Sequence, residues 1–269
     1  MKIVICGKGG SGKSTLTALL AAFLAEQNRG VLVVDADESN PGLYRLLGFE
    51  SPPRTLMDLL GGKDSVREKL RRKIRNEGRE EVNLFERERI FPGDIPGDFL
   101  RRWGSCLLVV VGKVARAREG CACPMGVVAR EFLRRLETPP GEIVLVDTEA
   151  GVEHFGRGLE TAVDGVLAVV EPSLESVVLA ERIRDLAIGS GAHFLGVVLN
   201  RLTPEAEVIL GEEVKRRGLP VLGRFGVRPE FTGASLRGER VPLSEEIRGE
   251  LVHILQGIQG RILERAIRS

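Results

Sequence analysis

The sequence predicts an α/β fold built on a mostly parallel, doubly wound sheet with helices on both faces, and three observations carry that expectation. Apolar runs of strand length recur at residues 2–6, 106–111, 143–146, 165–170 and 194–199. Apart from Lys2 at the start of the first, they are near-continuously apolar rather than alternating, as strands covered on both faces are. Stretches of helical period separate them, which is the pattern of right-handed β-α-β crossovers. The first run ends in a glycine-rich loop that opens a helix, so an anion site is expected at the carboxyl end of a strand.

Residues 2–6 (K-I-V-I-C) run directly into Gly7-Lys8-Gly9-Gly10-Ser11-Gly12-Lys13-Ser14. Glycine, four residues, glycine, lysine and a hydroxyl residue form a P-loop. Glycines let successive backbone N–H groups turn inward around phosphate, and the following helix points its positive end at the same place. The expected nucleotide-binding set is Gly9, Gly10, Ser11, Gly12, Lys13, Ser14 and Thr15. Lys13 would neutralise the β- and γ-phosphates of ATP or ADP, and the Ser14 hydroxyl would ligate Mg²⁺. Lys8 has little apolar surface to cover inside a glycine loop, so a phosphate is its natural partner; a solvated lysine is the alternative.

The chain has 269 residues, 43% of them hydrophobic, enough for one large domain over residues 1–269. Lys and Arg number 39 against 38 Asp and Glu, a net charge of +1. No global field draws such a chain to nucleic acid or a membrane surface, and neither is expected as a partner. A strand opens the chain and no run approaches the ~18 apolar residues of a membrane span, so the cytoplasm is the expected compartment. Four cysteines there favour metal or redox chemistry over structural disulfides.

Residues 14–28 read as a helix, with Leu16, Leu19, Leu20, Phe23 and Leu24 at helical spacing, and Asn28-Arg29-Gly30 stops it. Residues 31–34 make the second strand. It delivers Asp35-Ala36-Asp37 to the edge of the site, where such a pair can hold Mg²⁺ or its water, orient an attacking water, or merely cap a turn. Asn40-Pro41-Gly42 is a turn. A charged helical insertion is expected at about 55–104: residues 61–89 mix both signs of charge around Val66, Leu70 and Ile74, which suggests one or two exposed amphipathic helices. That face is solvated or docks a protein partner. Residues 91–98 form an irregular loop.

After the strand at 106–111 come Cys121-Ala122-Cys123-Pro124. Two cysteines so close are hard to join as a disulfide, yet can aim two thiolates at one metal. Two sulfurs do not close a tetrahedral site; two copies meeting on a twofold axis supply four, which suits Zn²⁺ or a square-planar Ni²⁺. A redox-active pair is the alternative. Cys6 and Cys106 lie inside strands and read as core residues. Residues 127–137 are helical, and the strand 143–146 ends in Asp147, whose carboxylate would hold Mg²⁺ with Ser14. Gly151 follows, its N–H placed to sense the γ-phosphate. His154 would relay metal or hydrogen-bond its own loop.

Strands at 165–170 and 194–199 continue the sheet, with a helix through 188 between them. Asn200, beside Arg201 at a strand's carboxyl end, can read the edge of adenine. Residues 219–223 make a short edge strand and the loop through 228–230 flanks the base. The last helix, 244–269, has an apolar face of Leu251, Ile254, Leu255, Ile258, Ile262 and Leu263 and lacks the aromatics of a membrane-surface helix, so it should pack on the sheet.

The G-K-G-G-x-G-K-S form resembles the deviant Walker A box of P-loop ATPases in the nitrogenase iron protein, MinD and ParA group. That resemblance implies ATP hydrolysis, a homodimer in which Lys8 reaches the partner's nucleotide, switch I near residues 40–42, switch II at 147–151 and a water-orienting role for Asp37. Lys8, Lys13 and Asp37 are thus the implied catalytic residues and Ser14, Asp37 and Asp147 the implied magnesium ligands. Within that group, Cys121-x-Cys123-Pro124 combined with Glu149-Ala150-Gly151-Val152-Glu153-His154 resembles the carbon monoxide dehydrogenase accessory ATPase (CooC) family. This further resemblance implies ATP-dependent nickel delivery, with Cys121 and Cys123 as metal ligands and apo carbon monoxide dehydrogenase or a related nickel enzyme as client. A MinD- or ParA-like positioning or partition ATPase and an iron–sulfur carrier are the other classes the residues admit.

Overall fold

In the computed structural model, residues 1–75, 83–113, 123–152 and 158–268 are described. Strands β1 (Lys2–Gly7), β2 (Val31–Ala36), β3 (Arg101–Trp103), β4 (Cys106–Val110), β5 (Ile143–Thr148), β6 (Gly165–Val170), β7 (Phe194–Leu202) and β8 (Val221–Gly226) form one sheet. Their order is β3-β4-β2-β5-β1-β6-β7-β8. All neighbours pair in parallel except β3, which runs antiparallel to β4. The expected mostly parallel, doubly wound sheet is what the chain adopts.

Alternate side chains of each strand enter opposite layers, and both layers are dry. Val4, Cys6, Val34 and Val146 face helices α3 (Leu56–Leu59), α4 (Lys63–Arg75), α5 (Cys123–Arg135) and α6 (Leu174–Gly189). Ile3, Ile5, Val33 and Leu145 face α1 (Lys13–Glu26), the short α2 (Leu43–Leu46) and α9 (Glu245–Arg268). Each such residue contributes roughly 1.5–3 kcal/mol by leaving water. Helix α1 is buried from Leu16 through Ala25. It ends where Asn28 takes a left-handed φ of 56°. The Arg29 N–H then returns to the Leu24 carbonyl at 3.0 Å and that of Asn28 to Ala25 at 3.0 Å, satisfying the last carbonyls of the helix.

Residues 61–89, expected as one or two exposed helices, behave differently. One helix, α4, lies among the described residues of that stretch; Val66 on it is 0% exposed, and Leu84, Phe85, Ile90, Ile95 and Phe99 are buried in the same layer. The rings of Phe85 and Phe132 stand 5.9 Å apart at 48°. The stretch is therefore a lid of core as well as a charged surface. Its apolar residues carry no clear period because irregular chain delivers most of them.

Helix α5 starts four residues before the expected position 127, at Cys123. Helix α7 (Pro204–Arg216) was not anticipated, although Thr203 caps it by accepting from the Ala206 N–H at 3.2 Å with Pro204 in its first turn. The loop expected at 228–230 is the start of helix α8 (Pro229–Arg237). Helix α9 packs on β8 and α1 as expected through Leu251, Ile254, Leu255 and Ile258, but Leu263 is 62% exposed and lies off that face. No helix among the described residues is long and apolar enough to cross a membrane.

Removing the Phe132 ring should cost about 3–5 kcal/mol, because the lid and α5 cannot both close on the void. Leu263→Ala should stay within about 0.5 kcal/mol. Urea unfolding of the two variants checks both; equal losses would mean that the assigned burial is wrong.

Candidate nucleotide site

The register of the sheet builds the site. Asp35 of β2 lies opposite Asp147 of β5, and Asp147 opposite Ile5 of β1, so three adjacent strands end together beneath the loop between β1 and α1. In that loop Gly12 has a φ of +102°, and a Cβ on it would stand 2.2 Å from the Asn200 amide nitrogen. Gly7 is as constrained: a Cβ would lie 2.4 Å from the Val169 carbonyl. Gly12 is also the N-cap of α1 and no side chain caps that helix, so its first N–H groups remain available to an anion. Lys13 is buried and its Nζ donates to the Lys8 carbonyl at 3.2 Å, curling over the loop. Ser11 is fully buried.

A cavity of about 390 Å³ opens here, lined among others by Gly9, Lys13, Thr15, Asp37, Asn40 and Arg201. A neighbouring one of about 270 Å³, lined by Gly12, Thr15, Asn200, Arg228 and Phe231, extends it past β8. Together they suit a phosphate chain followed by a flat base. A larger cavity of about 670 Å³ between α6 and α7 is walled mainly by apolar side chains such as Leu174, Val177 and Ile209. No phosphate-binding loop borders it, so size does not locate the site.

Ser14 Oγ donates to Asp147 Oδ2 at 2.6 Å and accepts from the Asn40 amide at 3.0 Å. Asp147 is fully buried and its Oδ1 has no hydrogen-bond partner. Burial, then the nearby Asp35 charge, push its pKa up to about 7; the Ser14 hydrogen bond and Lys13 only partly offset them. Burial likewise pushes Asp35 up to about 6 against the pull of Lys113. An orphaned carboxylate oxygen beside a serine hydroxyl and a second acidic side chain is an all-oxygen donor set of the kind a hard divalent cation takes. The residues present fit Mg²⁺.

Asp37 is buried, and its Oδ1 accepts from the Ser39 N–H at 2.9 Å, the Ser39 hydroxyl at 2.7 Å and the Asn40 N–H at 3.0 Å. In this conformation it caps its own turn. The Gly151 N–H donates to the Gly7 carbonyl at 3.2 Å, joining the segment after β5 to the glycine loop, and Thr148 Oγ1 donates to the Ile5 carbonyl at 3.0 Å. Asn200 donates to the Ser11 carbonyl at 2.7 Å, so its amide holds the loop while it lines the second cavity. Lys8 Nζ lies 3.1 Å from Glu171 Oε1 and 3.3 Å from Ser173 Oγ; Arg201 lies 3.7 Å from Glu171 Oε2.

Two participants escaped the sequence. Glu171 sits after a strand in Glu-Pro-Ser, where nothing local marks it as the partner of a lysine far upstream. Lys113 had a visible signal: a lysine that closes the run C-L-L-V-V-V-G-K needs an acidic partner if it is to stay near the core. Its Nζ donates to Asp35 Oδ1 at 2.8 Å, to the Asn40 carbonyl at 2.5 Å and to the Asp37 carbonyl.

Cys121 and His154 fall outside the described residues, and Cys123 is the first residue of α5. No cluster of three or more His, Cys, Asp or Glu able to hold a metal occurs among the described residues. Cys6 and Cys106 are free, buried strand residues, their thiols pushed up to about 12 by burial, as core cysteines should be.

The raised carboxyls fix a pH dependence. Asp147 holds its proton to higher pH when folded than in the unfolded chain, where its value is near 3.8. Between those values the folded state binds more protons, so its stability falls as pH rises from about 4 through about 7, and Asp35 adds to the fall up to about 6. Thermal melts from pH 5 to 8 without nucleotide should show this slope, Asp147→Asn should lose part of it, and Mg²⁺ with ADP should flatten it. A slope unchanged by Asp147→Asn would contradict the assignment.

Comparison with known proteins agrees with this geometry. The CobQ/CobB/MinD/ParA nucleotide binding domain matches residues 2–241. An uncharacterised ATP-binding protein of Methanocaldococcus jannaschii is 42% identical over 218 residues, 80% of this chain and 84% of that one. The carbon monoxide dehydrogenase accessory protein CooC of Rhodospirillum rubrum is 34% identical over 77% of each chain. Among solved structures, the septum site-determining protein MinD of Pyrococcus horikoshii, complexed with Mg-ADP, superposes with a TM-score of 0.64 over 96% of this chain and 95% of that one at 19% identity, a likeness of fold. The chain is an ATPase of the CobQ/CobB/MinD/ParA nucleotide-binding family, in the group that includes CooC.

Proposed function

We propose that this ATPase is a cytoplasmic nickel metallochaperone: a homodimer, controlled by ATP and ADP, that holds Ni²⁺ or Zn²⁺ between Cys121 and Cys123 of two chains and delivers nickel to apo carbon monoxide dehydrogenase or a related nickel enzyme. The observation that carries this reading is the Cys121-Ala122-Cys123-Pro124 motif in a chain so similar to CooC. Nickel is here the cargo. Two thiolates per chain leave a site half built, and a second copy completes it.

Each residue of the nucleotide site has a role that its chemistry supports. The N–H groups of Gly9 to Thr15 cradle phosphate, and Lys13 neutralises the β- and γ-phosphates. Ser14, Asp147 and Asp37 would hold Mg²⁺, which when bound spreads the phosphate charge. Asp37 orients the attacking water once its side chain leaves the Ser39 turn. The Gly151 N–H exchanges the Gly7 carbonyl for the γ-phosphate. Asn200 and Arg201 line the base and sugar end. Lys8 leaves Glu171 for the partner's nucleotide; its 39% exposed side chain makes that pair weak, about 0–1 kcal/mol, and so exchangeable.

Two experiments test the reading. In anaerobic calorimetry with light scattering, one Ni²⁺ should bind per two chains, and Cys121→Ser/Cys123→Ser should lose the metal while still binding ADP; metal binding that survives the double substitution sinks the proposal. Lys8→Ala should keep ADP affinity within about threefold yet lose ATP-dependent dimerisation, whereas Lys13→Ala should lose about 10²–10³-fold in hydrolysis. Robust co-sedimentation with liposomes or DNA in ATP would favour a positioning or partition ATPase instead.

A further inference from the structure

We propose that Lys113 is a positioning residue for ATP hydrolysis, fixing the turn from Asp37 to Asn40 against the sheet so that Asp37 stands at the right place for the attacking water. This goes beyond the nickel reading and depends only on the role given to Asp37.

An ammonium has three N–H donors, and Lys113 spends all three on one short segment: the Asp35 carboxylate at 2.8 Å, the Asn40 carbonyl at 2.5 Å and the Asp37 carbonyl. The two carbonyls bracket the turn whose side chains enter the cavity, Asp37 from one end and Asn40 from the other. Asn40 in turn holds Ser14 Oγ at 3.0 Å. The base of Lys113 is equally fixed. The Val111 N–H donates to the Asp35 carbonyl at 2.9 Å, and the Val111 carbonyl accepts from the Met57 N–H at 2.9 Å. A rigid post thus rises from the end of β4 and grips both ends of a turn. Lys113 is absent from the walls of both nucleotide cavities, so it acts through other residues and is not itself catalytic.

A simpler role competes with this one: Lys113 is only the counter-charge of buried Asp35. The contacts themselves argue against it, since a counter-charge needs one carboxylate contact and has no use for two backbone carbonyls. The two roles separate in a double-substitution cycle. Asp35→Asn abolishes the need for a counter-charge but leaves the carbonyl grip. Adding Lys113→Met then removes the grip from a chain that holds no orphaned buried charge, which also protects the fold where Lys113→Met alone fails to fold.

The experiment measures steady-state kcat and KM for ATP with Mg²⁺, after a cooperative thermal melt has been recorded for each variant. Going from Asp35→Asn to Asp35→Asn/Lys113→Met should lower kcat about 10- to 100-fold with KM within about threefold, as misplacement of a reacting group does. Lys113→Arg should recover part of the rate in the Asp35 background of the natural chain. No fall in kcat between the two Asp35→Asn proteins, or a loss confined to KM, overturns the proposal and leaves Lys113 a counter-charge. Asp37→Asn is measured alongside. If it hydrolyses ATP at the natural rate, the role of Asp37 fails and the positioning role of Lys113 fails with it; if it is inactive, a flat Lys113 result condemns the Lys113 proposal alone.

Discussion

Everything at the nucleotide site depends on how buried negative charge is compensated where β2 and β5 end. Parallel pairing places Asp35 opposite Asp147, and Asp37 follows within two residues. Asp35 and Asp147, held at the edge of a dry sheet with Asp37 close by, lose their hydration and face neighbouring negative charge, and either effect alone favours their protonated form. The chain meets this with fixed donors on each: the Ser14 hydroxyl on Asp147, Lys113 on Asp35, and the Ser39 and Asn40 N–H groups on Asp37. One acceptor, Asp147 Oδ1, is left over, and burial still holds Asp147 near neutrality. A site so poised gains most from a divalent cation and its phosphates, since their arrival completes a charge balance that the protein alone leaves short. Affinity for Mg²⁺-nucleotide is thus built into the register of the sheet as much as into the loop above it.

The loop itself was fully legible because its chemistry is consecutive: glycines, lysine and serine are neighbours, and no tertiary information is needed to see them as a phosphate cradle. Most of the parallel strands were legible for a related reason, since each is a short apolar run, whereas β8 carries Arg224 in mid-strand and its bounds were less clear. What escaped depends on distance along the chain. Lys113 and the Asp35–Asn40 segment meet only because β4 lies beside β2, and Glu171 reaches Lys8 only because β6 lies beside β1. Strand β3 has three residues and two arginines, so no period can form. Between residues 84 and 99 the buried side chains are scattered over irregular chain, and the charges between them masked a contribution to the core.

The Lys8–Glu171 contact shows how a single chain accommodates a lysine inside its glycine loop. A lysine in a tight glycine loop has no apolar surface to lie on, so in a lone chain it must find an anion or stay in water. Glu171 supplies the anion and Ser173 a further acceptor. Glu171 also draws Arg201, which lines the nucleotide cavity, to 3.7 Å, so one carboxylate serves two cations. If a phosphate group recruits Lys8, Glu171 retains Arg201 and is not stranded. Such an exchange costs little on either side.

The same reasoning divides the four cysteines. Metal ligation needs thiolate, and a thiol raised to about 12 by burial, as in Cys6 and Cys106, supplies none at neutral pH. Both sit in strands of the sheet interior, where sulfur fills space as a small apolar atom. Any thiolate chemistry in this chain therefore falls to Cys121 and Cys123. Cys123 opens α5, and Met125, Val128, Phe132 and Leu133 of that helix are buried in the layer that β2 and β5 share through Val34 and Val146. Those strands end in Asp35 and Asp147, opposite one another at the candidate nucleotide site. Helix α5 thus joins position 123 to the sheet layer whose strands carry the site's two opposed carboxylates.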